Sequence, residues 1–237
     1  MRADVYTYNS GRLKDHQITG STVIVVDVLR ATTSIITAIK NGADKVVPAQ
    51  DAGTAAALAL GLGDDSVLAG ERGGIRLPGF MLGNSPTEFT ASAVGGKTVI
   101  ISTTNGTEAI HGMRSASRLL IGAMINRSAA ARLAYEIGND IIIMCAGTDG
   151  EISADDICTA GAMISKLEEL GVTNFNDMAL ISGLAYENWR NGTADIRKTR
   201  HCRRLIELGF GEDVNFCFRM DTTNTVPECR NGVITKA

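Results

Sequence analysis

Asp27 and Arg30 stand where an apolar run stops, and Thr32, Thr33 and Ser34 follow before the chain turns apolar again at helical spacing. Hydroxyls and free amides at a helix start make an anion seat, because the first N–H groups lack partners and the helix dipole favours negative charge. The Arg30 guanidinium adds a fork suited to carboxylate, phosphate or sulfonate oxygens. An acid such as Asp27 repels a bare anion but serves a metal ion that accompanies one. The same stretch also reads as a capped helix in which Arg30 merely pairs with Asp27.

Four further segments carry similar chemistry. In "ISTTNGTEA", Thr103, Thr104, Asn105, Gly106 and Thr107 form a small-residue loop where backbone can approach an oxyanion. "LAGERGG" places Glu71 and Arg72 between glycines, and "LGNSPTEF" supplies Asn84 and Ser85 ahead of a proline suited to a helix start. "SADDICTAGAM" opens a helix with Ser153 as cap, and Asp155 and Asp156 fall in its first turn, where the dipole favours acids anyway. Taken singly, each is also an ordinary turn or cap.

Familiar alternatives fail on their residues. "GGKT" at Gly95–Thr98 has Ala91 where a nucleotide-binding P-loop needs its first glycine, and it precedes a strand where a P-loop follows one. No cysteine has an arginine six positions on, so the cysteine-phosphatase cradle is missing. His201 lies in a helical pattern and reads as structural, or at most as a supporting group behind a site.

Short β-branched runs alternate with helical patterns through most of the chain. Strands are expected at Thr22–Val26, Lys45–Pro48, Val67–Ala69, Thr98–Ile101, Arg118–Ala123 and Asn139–Cys145. Helices are expected between them at Ala52–Leu62, Glu108–Ser115 and Ser128–Ile137. That order predicts an α/β three-layer sandwich, with a mostly parallel or mixed sheet covered by helices on both faces. After Cys145 the texture becomes helical over Asp155–Leu170, Asp177–Arg190 and Ile196–Leu208, and "NFCFRM" with "TVPECRNGVI" suggests a β-like tail. No linker interrupts the chain, so residues 1–237 are read as a single domain with a helical C-terminal third. In a parallel sheet the polar loops share the carboxyl edge, where α/β proteins bind ligands.

A net charge of −3 offers no basic field, and aromatics at 5% are too sparse for base stacking, so nucleic-acid binding is not expected. The N-terminal "MRADVYTYNSGRLKDH" lacks the apolar centre of a signal peptide, and no apolar run is long enough to span a bilayer. Five scattered cysteines without a CxxC pair suit reduced thiols in a cytoplasmic protein. Homo-oligomer formation is left open.

Together "VVDVLRATTS", "GERGG", "LGNSP", "STTNGT", "CAGTDGEISADDICTAG" and "TTNTVPE" resemble, in order, the 2-phosphosulfolactate phosphatase family from about Thr22 to Pro227. The resemblance implies magnesium-dependent hydrolysis of the phosphate ester of a 2-hydroxy acid. The family's name reaction converts 2-phospho-3-sulfolactate to 3-sulfolactate and phosphate in coenzyme M biosynthesis. Residue by residue, Asp27 and Arg30 fall in its first motif, Glu71 and Arg72 in its second, Asn84 and Ser85 in its third. Thr103 to Thr107 match its fourth and Asp156 its fifth, where Asp155 replaces a frequent glutamate.

A substrate with phosphate, carboxylate and sulfonate groups needs several anion seats, which accounts for several donor-rich loops. Asp27, Glu71 and Asp156 are therefore expected to hold Mg²⁺, with Asp27, Arg30 and Glu71 as catalytic residues. Arg30, Thr32, Thr33, Ser34, Arg72, Asn84, Ser85 and Thr103 to Thr107 are expected to hold the small anionic substrate. One rival is an aspartyl-nucleophile phosphatase, disfavoured by Leu29 where a second Asp would stand. Another is an anion-binding or sensing protein without turnover, which converging carboxylates would repel.

Overall fold

A computed structural model describes residues 1–8 and 13–237; residues 9–12, part of the N-terminal stretch read above for a leader, lie outside it. The strands are β1 (Arg2–Thr7), β2 (Thr22–Val26), β3 (Lys45–Pro48), β4 (Ser66–Arg72), β5 (Ile75–Arg76), β6 (Thr98–Ser102), β7 (Arg118–Gly122), β8 (Ile141–Cys145), β9 (Asn174–Phe175), β10 (Pro227–Arg230) and β11 (Val233–Lys236). The helices are α1 (Asp15–Thr19), α2 (Ala31–Lys40), α3 (Ala52–Leu62), α4 (Ala91–Val94), α5 (Gly106–Gly112), α6 (Arg127–Ile137), α7 (Ala154–Glu169), α8 (Asp177–Arg190), α9 (Arg200–Glu207) and α10 (Gly211–Cys217).

All eleven strands form one mixed sheet in the order β5-β4-β6-β3-β11-β10-β7-β2-β8-β1-β9. Strands β2, β6 and β8 are buried along their whole length, as apolar runs covered on both faces must be. Two parallel blocks, β4-β6-β3 and β7-β2-β8-β1-β9, are joined by the C-terminal hairpin, which pairs antiparallel with β3 on one side and β7 on the other. Its turn is Asn231-Gly232, both at positive φ (52° and 79°), the pair favoured by a two-residue hairpin.

The hairpin's one buried acid is Glu228, held by ion pairs with Arg118 of β7 and with its own neighbour Arg230. Burial works against the Glu228 carboxylate, but the two arginines prevail and hold its pKa below the ordinary value. A depressed pKa adds stability above the ordinary carboxylate range, and that stability is lost as pH falls through it. Glu228→Ala is expected to lower unfolding free energy by about 2 kcal/mol at pH 7, the scale of a charged hydrogen bond. Urea unfolding at pH 7 and pH 4 checks this, and the deficit should shrink at the lower pH.

The six expected strands and the sandwich architecture are present, with differences that have physical causes. β1 was not anticipated, because Asp4 sits inside it; that carboxylate is buried against Arg2 at 2.9 Å. "NFCFRM" is not β-like. Its first half closes α10, where Val214 and Cys217 bury the same face at i, i+3 and Glu212 and Asp213 fill the first turn. The expected helix Ile196–Leu208 is broken at Thr199, whose hydroxyl caps α9 by accepting from the Cys202 amide. α7 and α8 pack closely because Gly161 has no side chain; a Cβ there would lie 1.8 Å from the Ser182 carbonyl oxygen.

Candidate active site

β2 and β6 are separated in the sheet by β3, β11, β10 and β7. Were the sheet flat, five spacings of about 4.8 Å would hold their ends roughly 24 Å apart. Twist and the carboxyl-edge loops close that distance. Gly106, at the start of α5 behind β6, comes so near the end of β2 that a Cβ would lie 2.7 Å from Asp27 Oδ2 and 2.5 Å from Ala31 Cβ. Only glycine permits that approach.

The result is a narrow cleft of about 70 Å³. Asp27, Arg30, Glu71, Asn84, Asp149 and His201 are among the residues that line it, with Thr104 and Asn105. Asp27 Oδ1 accepts from the Ala31 amide at 3.2 Å, and no protein donor reaches Oδ2 among the described residues. Burial raises the Asp27 carboxyl to about 6; the charges of Glu71 and Asp155 push the same way, while His201 and the Ala31 amide oppose them.

Glu71 ties two loops together. Its Oε2 accepts from the Gly74 amide at 2.7 Å, and its Oε1 accepts from the Thr104 amide and hydroxyl at 2.8 and 3.0 Å. The Asn84 side-chain oxygen is buried without a hydrogen-bond partner among the described residues. Such an atom lining a cleft calls for a partner from a ligand or water.

Arg30 is 2% exposed and already engaged. It donates to Asp213 at 2.7 Å and to the Gly74 carbonyl at 2.9 Å, and lies 4.1 Å over the Phe210 ring. Ser85 donates to the other oxygen of Asp213 at 2.6 Å, so Ser85 and Arg30 share one buried acid.

Several expected ligand residues stand behind the cleft. Thr32, Thr33 and Ser34 are fully buried, and their hydroxyls donate to the carbonyls of Asp27, Val28 and Asn84. Thr32 and Thr33 brace the β2–α2 turn and Ser34 the Asn84 loop, but none of them caps α2, and Arg30 pairs with Asp213 and not with Asp27, so the capping alternative does not hold either. Thr103 and Thr107 bond reciprocally, each through its hydroxyl and the other's backbone. Arg72 is exposed, bonds to the Glu71 carbonyl and the Ser102 hydroxyl, and does not line the cleft.

Asp156 is also displaced from its expected role. Its two oxygens accept from the amides of Val28 at 2.9 Å and Gly147 at 3.0 Å, tying the ends of β2 and β8 together. Burial, with Asp155 and Asp27 nearby, holds its pKa well above the ordinary carboxylate range. Among the described residues no three His, Cys, Asp or Glu side chains gather closely enough to hold a metal ion. Asp27, Glu71 and Asp156 are thus not gathered into one such cluster, and Asp156 does not line the cleft. The cleft's own donors still suit a hard cation: they are oxygens, and Mg²⁺ typically takes only one or two carboxylates beside substrate oxygens and water.

Two important residues gave little sign in the sequence. Asp213 reaches Arg30 across 183 residues. His201, in the first turn of α9, lies 3.2 Å from Asp155 and 3.1 Å from the Thr148 hydroxyl. Its spacing to Asp155 follows no known motif.

Cys145 ends β8 fully buried, and burial pushes its thiol well above the ordinary value, so no thiolate forms there near neutral pH. All five cysteines are free and buried. Cys145→Ala is expected to keep kcat within about threefold of wild type, since buried cysteine packs as a small apolar residue. Steady-state turnover checks it.

A larger, more open groove of about 1080 Å³ runs along Tyr6, Tyr8, Ile152, Asn176 and Ile181. Among the described residues, no arginine, lysine or histidine lines it. The narrow cleft, with its acids, guanidinium and imidazole, is the chemically equipped site.

Fold and site together define an α/β protein with an acid- and arginine-lined cleft at the carboxyl edge of its strands. The chain belongs to the 2-phosphosulpholactate phosphatase family, whose model matches residues 8–232. Among its relatives, a probable 2-phosphosulfolactate phosphatase of Caldanaerobacter subterraneus subsp. tengcongensis is 41% identical over 96% of this chain and 95% of its own length. One of the same description from Carboxydothermus hydrogenoformans is 39% identical, covering 96% of this chain and 93% of the relative. Another from Clostridium novyi is 37% identical, covering 94% and 95%.

Proposed function

We propose that this chain is a magnesium-dependent phosphatase that releases phosphate from a phosphorylated 2-hydroxy acid. The substrate we assign is 2-phospho-3-sulfolactate, giving 3-sulfolactate in a coenzyme M type of biosynthesis. The observation that carries the reading is the cleft where Asp27 and Glu71 face an engaged arginine and a histidine, in a chain of this family. Free buried thiols suit a reducing compartment, and a cytoplasmic location is part of the reading. No helix among the described residues is long and apolar enough to cross a membrane.

Asp27, through its unpartnered Oδ2, and Glu71 would hold the cation, with Asn84 as an additional oxygen donor. Bound Mg²⁺ supplies charge stabilisation at the phosphoryl oxygens. Asp27 would also orient the attacking water and accept its proton. The amides of Thr104 and Gly74 fix Glu71, and Arg30 fixes the Gly74 turn, so the cleft needs little rearrangement on binding. Phosphate release from a panel of 2-hydroxy acid phosphates, with and without Mg²⁺, tests the proposal. Metal-dependent release with 2-phospho-3-sulfolactate preferred is expected. Binding of these acids without any release would favour the anion sensor instead.

A further inference from the structure

Hydrolysis of an alkyl phosphate expels an alkoxide, a poor leaving group unless a positioned acid protonates it. In the first four loops the cleft carboxyls, Asp27 and Glu71, are assigned to the cation and the attacking water, and the other side chains are hydroxyls, amides and guanidinium groups. His201 is the imidazole lining the cleft. Its Nδ1 lies 3.2 Å from Asp155 Oδ2 and 3.1 Å from Thr148 Oγ1. Asp155 is 1% exposed and is itself held by a hydrogen bond from the Ser153 hydroxyl. Nε2 has no protein partner among the described residues. One ring nitrogen is therefore anchored to a buried acid, and the other is left for a ligand.

We propose that His201 is the general acid of this site and that Asp155 is its positioning residue. The inference rests on the phosphatase reading above. As the ester P–O bond breaks, its electron pair passes to the leaving oxygen, which takes the Nε2 proton and departs as the hydroxyl of the product acid. The oxygen of water forms the new P–O bond. The proton that water gives up passes through Asp27 to solvent, and solvent reprotonates the imidazole, so charge and protons balance over a cycle.

The groups facing the ring agree with this role. Burial draws the imidazole pKa down, but the hydrogen bond and charge of Asp155 on α7 and the charge of Asp27 beyond β2 more than offset it, with Arg30 opposing. The net direction is upward, so the imidazolium persists to higher pH than in a free histidine. Asp149 and Arg204 also line the cleft, with opposite charges.

The test measures kcat against pH and the bridging-¹⁸O kinetic isotope effect for wild type, His201→Gln and Asp155→Asn on 2-phospho-3-sulfolactate. His201→Gln should lower kcat by about 10²–10³-fold. It should also erase the alkaline limb of the profile and enlarge the isotope effect, because charge now builds on the leaving oxygen. Asp155→Asn should move the alkaline limb to lower pH with a smaller loss, which keeps the test open if the glutamine variant does not fold. An unchanged isotope effect and alkaline limb in a folded variant would overturn the assignment while leaving the phosphatase reading intact. No phosphate release by wild type would overturn both.

Discussion

Asp27→Asn is expected to lower kcat by at least about 10³-fold and, without metal, to raise the melting temperature at pH 7. The activity loss follows because an amide is a poor ligand for Mg²⁺ and cannot take a proton from water. The stability gain follows from linkage. Burial raises the Asp27 carboxyl from 3.8 to about 6, so ionising it costs folding free energy as pH rises through that window. Asparagine removes this cost, and the gain should vanish below about pH 4, where the carboxyl is protonated in both folded and unfolded chains. Melting curves at pH 4 and pH 7, with phosphate release on the same samples, separate the two effects. A variant that is both less active and less stable at pH 7 would mean that Asp27 holds the turn and not the chemistry.

Asp213→Ala is expected to lower unfolding free energy by about 3–5 kcal/mol, because it leaves the Arg30 guanidinium buried and unpaired. Arg30 and Asp213 are 2% and 5% exposed in their side chains, so water cannot take the lost partner's place cheaply. The double variant Arg30→Met with Asp213→Leu should recover most of that stability, since replacing a buried pair by apolar side chains is often neutral. It should not recover activity, because the Gly74 carbonyl would lose its donor and the Glu71 loop its brace. Urea unfolding of the wild type and the two variants measures this. A single-variant loss below about 1 kcal/mol would show that the pair is not tightly coupled.

The elements were largely legible because apolar runs such as Thr22–Val26 and Ile141–Cys145 are buried on both sides and show it. The edge convergence of Asp27, Glu71, Asn84, Thr104 and Asn105 follows from parallel strands, whose carboxyl ends share one side. What the sequence did not reveal is which polar side chains face the cleft. Thr32, Thr33 and Ser34 look like ligand hydroxyls, yet each finds a backbone carbonyl first. Asp156 looks like a metal ligand, yet it does not line the cleft and ties the ends of β2 and β8 together behind it. Asp213 and His201 sit in helices far along the chain from their partners, and such pairings depend on tertiary packing that local pattern does not encode. "NFCFRM" carries aromatic residues that favour strands, but the acids before it and the core contacts of Val214 and Cys217 make it helical.

Phosphoryl chemistry is assigned to the narrow cleft and not to the larger groove. A crystal grown with Mg²⁺ and orthovanadate, a mimic of the phosphoryl group in transfer, tests it most directly. Vanadate is expected between Asp27 and His201, with the cation within about 2.1 Å of an oxygen of Asp27 or Glu71. Vanadate seated instead along Tyr6, Ile152 and Ile181, with the Asp27 cleft empty, would contradict it.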